Sequence, residues 1–189
     1  MKNRIENIFR ESIKVKEQTL QANLQTIIKS IEEITKTLKN KGTIFLFGNG
    51  GSAADSQHIA AEFIGRFKRE RKSLPAIALT TDTSALTALS NDYGFEVVFS
   101  RQLEGLGKKG DIAIGITTSG NSPNVVEGIK KAKSIGMKTI ALTGGDGGTV
   151  ASLADIAIVV PSKMTARVQE SHICIAHCIC ELVEESFSG

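Results

Sequence analysis

The chain has 189 residues, a length that fits one domain, and 41% of its residues are hydrophobic, which excludes a disordered chain. Its 23 Lys and Arg against 20 Asp and Glu leave a formal net charge of +3, too small an excess for the basic footprint of a nucleic-acid-binding protein. Aromatic residues make up only 5% of the chain, with no Trp, which argues against a base-stacking platform, so nucleic acid is not an expected partner.

Residues 1–40 predict one long helix or a pair of helices. Apolar residues recur at the spacing of one helix face from Ile5 to Leu38, and Asn40-Lys41-Gly42 ends the pattern. The charged start, Met1–Glu6, lacks the apolar region of a signal peptide, and no stretch approaches about 18 uninterrupted apolar residues. We therefore expect a cytoplasmic protein that does not bind a membrane.

After residue 42 the pattern changes to short apolar runs separated by helical stretches. Near-continuous apolar strands that alternate with helices are typical of a parallel sheet covered on both faces. The sequence therefore predicts an α/β three-layer sandwich with a five-stranded parallel sheet, flavodoxin-like or Rossmann-like, and a last helix from about Thr165 to Phe187. The predicted strands are Thr43–Phe47, Ala76–Leu79, Asp111–Ile116, Lys138–Leu142 and Ile156–Val160.

The loop after the first strand is rich in glycine. Gly48–Ser52 runs directly into a predicted helix, so its backbone can approach a ligand and the free N–H groups of the helix start can face an anion. The loop is neither a G-x-G-x-x-G motif nor a P-loop, because the third Gly and the Gly-Lys-Ser/Thr are missing. It indicates an anion site without indicating a nucleotide.

The loop after the third strand, Thr117–Pro123, is rich in hydroxyl groups. Ser122 as the N-cap and Pro123 as the first helical residue could serve only to start a helix. The three hydroxyls before them favour a phosphate site, and the absence of lysine favours a sugar phosphate over a nucleoside triphosphate. The loop after the fourth strand, Thr143–Gly148, has ordinary turn chemistry and is expected to be a plain loop.

Two helices carry side chains that could act together. His58 and Glu62 are four residues apart on one helix, and Gln169 and His177 share a side of the last helix. The residues alone leave alternatives open. His58 and Glu62 could form a surface pair, and His177 could be a core histidine or a partner of Glu181. His172 has the same ambiguity as His177.

The three cysteines lie close together on the last helix. Their Cys-x₃-Cys-x-Cys spacing is not that of a zinc site, so we expect small buried hydrophobic residues in a reducing compartment. The three are Cys174, Cys178 and Cys180.

Four motifs together resemble the sedoheptulose-7-phosphate isomerases, also called phosphoheptose isomerases, of the sugar isomerase (SIS) domain superfamily. The similarity runs over essentially the whole chain and implies a single SIS domain over residues 1–189. One position departs from the pattern: Thr117 stands where the family has Ser, and it keeps the hydroxyl. The motifs are Asn49-Gly50-Gly51-Ser52-Ala53-Ala54-Asp55-x-Gln57-His58-x-Ala60-x-Glu62, Asn91-Asp92-Tyr93-Gly94, Thr117–Ser122 and Thr165-Ala166-Arg167-x-Gln169-Glu170-x-His172.

The resemblance implies a site and a reaction. The positions that match Glu62 and His177 are the acid/base pair of the family, which suits an aldose–ketose isomerisation through an enediol. A carboxylate can take the carbon-bound proton, and an imidazole can exchange protons with oxygen near neutral pH. The positions that bind one zinc ion per subunit match His58, Glu62, Gln169 and His177. The substrate-binding positions match Asn49, Gly50, Gly51, Ser52, Glu62, Asn91, Asp92, Thr117, Thr118, Ser119, Ser122 and Gln169.

The implied activity is conversion of sedoheptulose 7-phosphate to D-glycero-D-manno-heptose 7-phosphate. This is the first step of ADP- or GDP-heptose synthesis for lipopolysaccharide or surface polysaccharide. Family members are homotetramers with active sites at subunit interfaces, which implies that the helix in residues 1–40 packs in the oligomer.

Two alternatives are set against this function. A SIS adaptor that binds the replication initiator shares the scaffold but lacks counterparts of Glu62 and His177, and both residues are present here. Another SIS isomerase, acting on an amino-sugar or arabinose phosphate, usually carries extra domains for which 189 residues leave no room.

Overall fold

Helices cover both faces of a five-stranded parallel sheet in the computed structural model, which describes residues 1–188. The strands are β1 (Ile44–Gly48), β2 (Ala76–Ala78), β3 (Ile112–Ile116), β4 (Lys138–Gly144) and β5 (Ile156–Val160). The helices are α1 (Lys2–Lys39), α2 (Gly51–Ile64), α3 (Thr83–Tyr93), α4 (Val98–Leu106), α5 (Pro123–Ile135), α6 (Gly148–Leu153) and α7 (Thr165–Glu185), with a 3₁₀ turn at Phe95–Val97. The predicted α/β class and the parallel sheet are confirmed, and residues 2–39 form one unbroken helix.

The strand order fixes where a ligand can bind. The sheet runs β2-β1-β3-β4-β5, so the chain leaves β1 toward one edge and then returns to the other side of β1 at β3. Gly48 and Ile116, the last residues of these two strands, are paired with each other. Parallel sheets of this kind bind ligands at such a switch point, beyond the carboxyl ends of the strands. The loops that follow β1 and β3 both lie there.

The sheet separates two hydrophobic cores. In β1, Ile44 and Leu46 pack in the core shared with α1, α2 and α7, whereas Phe45 and Phe47 pack in the core shared with α4, α5 and α6. This alternation follows from the two-residue period of a strand buried on both faces. As a result, α2 and α7 lie in the same layer and pack against each other.

Helix α1 closes one edge of the sheet. The Asn23 side chain donates to the carbonyl of Val159 and accepts from its N–H, both at 3.0 Å. Strand β5 is an edge strand, and this contact occupies the N–H and carbonyl of Val159, which are then not available to a strand from another molecule. Nearer the start of α1, Ile5, Phe9 and Ile13 stay 50 to 67% exposed. No helix in residues 1–188 combines the length and apolarity that a membrane span needs.

Candidate active site

His58, Glu62 and His177 meet in the seam between α2 and α7. The Nε2 atoms of His58 and His177 are 3.0 Å apart, and Glu62 Oε1 lies 3.4 Å from His58 Nε2. Two imidazole nitrogens this close share one proton or face a common cation, since two N–H groups would repel each other. The seam therefore gathers a carboxylate and two imidazoles, the residue types that proton transfer and metal binding both use.

The packing decides between the alternatives that the sequence left open for His172 and His177. Glu181 pairs with Lys68 at 2.8 Å, so it is not the partner of His177. His172 is 1% exposed and its Nε2 lies 3.0 Å from the carbonyl oxygen of Thr143. Burial lowers the pKa of His172 to about 4, so the ring is neutral at physiological pH. His172 is the core histidine, and His177 belongs to the seam.

The fourth predicted metal ligand, Gln169, lies in the same seam but packs at the start of α2 and not beside His58. The side-chain amide of Gln169 packs directly on Gly51, the first residue of α2, so a Cβ at position 51 would collide with it. Gly51 and His58 are separated by about 10 Å along the helix axis, at 1.5 Å per residue. Within residues 1–188, no three His, Cys, Asp or Glu side chains are already gathered around one metal position.

Asp55 is a seam residue that the sequence analysis did not assign to the site. Its Oδ2 atom is buried and has no hydrogen-bond partner among the described residues. Burial raises the pKa of Asp55, and the nearby His58 and His177 partly oppose that rise. An unpaired buried carboxylate oxygen beside two imidazoles is typical of a functional site. The sequence did offer a signal for this role, because residues three apart on a helix, such as Asp55 and His58, lie on the same face.

Two pairs of donor atoms in the seam have the spacing of zinc ligands. Tetrahedral zinc with bonds of about 2.0–2.1 Å holds neighbouring ligand atoms about 3.3 Å apart. The measured separations of 3.0 Å from His58 to His177 and 3.4 Å from His58 to Glu62 are close to this value. The unpaired Asp55 oxygen beside them adds negative charge that favours a cation.

The expectation that all three cysteines are buried is wrong for two of them. Cys174 and Cys178 are exposed, and only Cys180 is buried. Burial, with the charge of Glu62 nearby, raises the pKa of Cys180 to about 12, so its thiol stays protonated. The apolar pattern of α7 covers both the core and an outer face, and periodicity alone does not separate the two.

The loop after β1 is held across the switch point by a pair of amides. Asn49 Nδ2 donates to Asn124 Oδ1 at 2.8 Å, and Asn124 Nδ2 donates to Asn49 Oδ1 at 2.9 Å. Gly50 has a φ of 55°, and a side chain there would meet nothing within 4 Å, so the backbone at this point is open to a ligand. Ser52 differs from its neighbours because it is only 3% exposed and packs under Gly48.

In the loop after β3, hydroxyl groups turn toward one another. Thr117 Oγ1 lies 2.9 Å from Ser122 Oγ and 3.5 Å from Ser119 Oγ, and Thr118 is half-buried beside them. Ser122 occupies the N-cap position of α5, but its side chain makes no capping hydrogen bond. Ser122 and Pro123 therefore start α5 at the predicted N-cap and first helical positions, but the Ser122 hydroxyl does not cap the helix. The Ser122 hydroxyl belongs to the loop. Pro123 has no N–H and the N–H of Val125 donates to the Ser122 carbonyl at 3.0 Å, so the first N–H that α5 offers to an anion is that of Asn124.

The start of α6 and the loop after β4 support the loop after β3. Asn121 Oδ1 accepts from the N–H of Thr149 at 3.0 Å and from its hydroxyl at 2.9 Å. The N–H of Val150 donates to the Gly120 carbonyl at 2.9 Å. Gly120, with a φ of 70°, packs so closely on the Gly147 carbonyl that a Cβ would overlap it. The two loops form one rigid platform.

Asn91 and Asp92 lie apart from these groups on α3, a helix without a buried residue. The Asn91 amide donates to the Asp92 carboxylate at 2.8 Å. Among residues 1–188, no side-chain hydrogen bond joins either of them to another predicted site residue. Their assignment to substrate binding remains a prediction.

Comparison with known proteins finds relatives that match most of the chain. The SIS domain family matches residues 8–144. A phosphoheptose isomerase of Aquifex aeolicus is 57% identical over 185 residues, which cover 98% of this chain and 97% of that protein. A phosphoheptose isomerase of Nitratiruptor sp. is 63% identical over 152 residues, which cover 80% and 81% of the two chains.

The solved structures include matches over nearly the whole fold. A phosphoheptose isomerase from Neisseria gonorrhoeae superimposes with a TM-score of 0.92 at 45% identity, covering 97% of this chain and 98% of the other. A phosphoheptose isomerase from Francisella tularensis gives a TM-score of 0.93 at 38% identity, with 97% of each chain covered.

Proposed function

Because the chain belongs to the phosphoheptose isomerases of the SIS domain family, we propose that it converts sedoheptulose 7-phosphate to D-glycero-D-manno-heptose 7-phosphate through an enediol. The observation that carries this proposal is the contact of His58, Glu62 and His177 across the α2–α7 seam. The chain is an isomerase of phosphorylated sugars, and the proposal adds the substrate and the roles of the residues.

Glu62 and His177 divide the proton transfers between them. Moving the carbonyl of a ketose from C2 to C1 takes a proton from carbon 1 and returns one to carbon 2, while another passes between the two oxygens. The Glu62 carboxylate, with its side chain 21% exposed, takes and returns the carbon-bound proton. The His177 imidazole exchanges the oxygen-bound proton, and its contact with His58 orients the ring.

The Thr117–Ser122 loop holds the phosphate. Its hydroxyls, the N–H of Asn124 at the start of α5 and the positive end of that helix can bind a dianion without lysine. Asn49, Gly50 and Gly51 bind the sugar on the opposite side of the switch point, with Ser52 supporting them from below. Asn91, Asp92 and Gln169 complete the proposed substrate contacts.

One zinc ion per chain fits the seam, held by His58, Glu62, Gln169 and His177. When bound, zinc supplies a positive charge that stabilises the enediolate oxygen. Gln169 packs on Gly51 and would join this set only with its side chain displaced from there. A neutral amide in the ligand set predicts weaker zinc binding than three histidines give.

We also propose that the chain works as a homotetramer in the cytoplasm. A groove of about 400 Å³ between α1 and α7 presents apolar side chains to the outside, which supports burial against a second copy. Three free thiols suit a reducing compartment. The groove includes Leu20, Leu24, Ile28, Cys174, Cys178 and Leu182.

One assay tests the proposed reaction. Purified protein supplied with zinc is incubated with sedoheptulose 7-phosphate, and the aldoheptose 7-phosphate is measured by chromatography and mass spectrometry. We expect time-dependent formation of the aldose up to an equilibrium mixture. A folded protein that forms none would contradict the proposal and return the adaptor as the better function.

A further inference from the structure

A buried carboxylate of α7 holds the loop between α2 and β2, which we call the α2–β2 loop (residues 65–75). Glu184 is 1% exposed, and its two oxygens accept from three consecutive backbone N–H groups. The distances are 2.8 Å to Phe67, 2.7 Å to Lys68 and 2.9 Å to Arg69. Burial opposes ionisation of Glu184, but these N–H groups and Arg71 outweigh it and lower its pKa. The carboxylate is therefore an ionised anchor for the loop.

Arg71 of the same loop ties that anchor to the end of α2. Its side chain is 1% exposed, and its Nε lies 3.4 Å from Glu184 Oε1. Nη2 donates to the carbonyl of Glu62 at 2.7 Å, and Nη1 donates to the carbonyls of Phe63 at 2.8 Å and Gly65 at 2.9 Å. The last carbonyls of a helix lack partners within the helix, so Arg71 fixes the turn that carries Glu62.

The loop also contacts the other half of the seam. The ring of Phe67 lies 5.4 Å from the ring of His177, centre to centre, at an angle of 36°. Its N–H is one of the three that Glu184 binds. The Glu184–Arg71 pair therefore touches both proposed acid/base residues indirectly: Glu62 through the backbone of α2, and His177 through the ring of Phe67.

We propose that Glu184 and Arg71 are positioning residues that set the relative placement of Glu62 and His177. A buried ion pair contributes little net stability compared with well-packed apolar side chains, so a stabilising role alone does not explain it. A misplacement of about 1 Å at reacting groups can cost about a hundredfold in rate, so geometry is a sufficient reason. The inference rests on the proposed isomerase function.

The experiment compares two adjacent carboxylates on α7. Glu184→Gln keeps the shape but removes the charge that collects three N–H groups. Glu185→Gln is the matched control, because Glu185 forms a surface pair with Arg69 at 2.9 Å and is 43% exposed. We expect Glu184→Gln to lower kcat about tenfold to a hundredfold and to change KM less than about twofold, because the phosphate loop is not involved. Glu185→Gln should leave both values unchanged.

Trypsin gives a second readout that does not depend on activity. The α2–β2 loop contains cleavage sites after Arg66, Lys68, Arg69, Arg71 and Lys72. If Glu184 anchors the loop, folded Glu184→Gln protein is cut there faster than wild type or Glu185→Gln. Unchanged kcat in folded Glu184→Gln protein would overturn the proposal, whether or not cleavage is faster.

If Glu184→Gln does not fold, a second variant tests whether the α2–β2 loop positions His177. Phe67→Leu keeps the backbone anchor and removes the ring beside His177, so we expect lower kcat with unchanged KM and unchanged cleavage. Wild-type kcat in that variant would overturn the proposal. A wild-type protein that does not turn over sedoheptulose 7-phosphate would contradict the proposed function instead, and the positioning role with it.

Discussion

The two parts of the candidate site are built in different ways. In the α2–α7 seam, His58 and His177 are 119 residues apart in the chain and meet only because two helices pack together. In the loop after β3, Thr117 and Ser122 are five residues apart and meet through local backbone geometry. Each of the two proposed acid/base residues in the seam has a role of its own, whereas the loop has several hydroxyls and N–H groups for one ligand. Loss of one side chain should cost far more in the seam than in the loop.

The largest effect is expected in the seam. Glu62→Gln and His177→Ala should each lower kcat at least about a hundredfold, because each removes one of the two proton-transfer groups. Steady-state kinetics with sedoheptulose 7-phosphate measures this, and circular dichroism and size-exclusion chromatography check the fold. Glu181→Gln is the control, since Glu181 is an exposed α7 carboxylate that pairs with Lys68. Wild-type kcat in Glu62→Gln would remove that residue from the acid/base pair.

A smaller effect, on the free energy of unfolding, is expected at His172 between the two parts of the site. His172 links α7 to the Thr143 carbonyl near the end of β4. Its pKa is lowered from 6.5 to about 4, so between these values the unfolded chain binds a proton that the folded chain does not. The free energy of unfolding should therefore fall as the pH is lowered, by about 2 kcal/mol from this group between about pH 7 and pH 5.

Urea unfolding at the two pH values measures this difference. His172→Gln stays neutral in both states, so the wild-type protein should lose about 2 kcal/mol more than the variant over that interval. Equal pH dependence in the two proteins would mean that His172 takes up its proton in the folded state and does not hold α7 to the sheet as a neutral ring.

In the loop, one lost hydroxyl should weaken binding without stopping the reaction. Ser119→Ala should raise KM for the sugar phosphate about tenfold, the cost of one hydrogen bond to a charged group, and change kcat less. Ser134→Ala, on the exposed face near the end of α5, is the control. If KM is unchanged in Ser119→Ala and in Ser122→Ala, the phosphate lies elsewhere and the Gly48–Ser52 loop becomes the better site.

The same contrast explains what could be predicted from the sequence. The strands follow from uninterrupted apolar runs, and the structure moves their ends by only one or two residues. For example, β4 ends at Gly144 where Leu142 was expected. The pairs within one helix, such as His58 and Glu62, follow from helical spacing. Local patterns therefore gave the fold class, the His58–Glu62 pair and the hydroxyl-rich loop after β3.

Contacts between distant segments were not predictable in the same way. Asn124 pairs with Asn49 across 75 residues, and Glu184 binds Lys68 across 116, with no spacing rule to connect them. Cys174 and Cys178 were misplaced for a related reason, since an apolar position on a helix can face the core or another surface. The resemblance to a family supplied roles for His177 and Gln169 that periodicity could not.

The smallest effect is expected at Ser122, and it tests the loop most directly. A serine that caps a helix through its side chain contributes about 1 kcal/mol, which is lost on substitution by alanine. Ser122 is at the N-cap of α5 without a capping hydrogen bond, and its hydroxyl contacts Thr117 instead. The Thr117 hydroxyl would keep Ser119 Oγ as a partner at 3.5 Å. Ser122→Ala should therefore change the free energy of unfolding by about 0.5 kcal/mol, the low end for one hydrogen bond, as measured by urea unfolding without ligand.

Asp82 provides the comparison for that measurement. It caps α3 with its carboxylate, which accepts from the N–H of Ala85 at 2.9 Å. Asp82→Ala should therefore cost about 1 kcal/mol under the conditions in which Ser122→Ala costs little. Equal losses in the two variants would make Ser122 an ordinary cap and take one hydroxyl away from the phosphate. A loss confined to Asp82→Ala would leave the Ser122 hydroxyl available to a ligand, because the fold would then not depend on it.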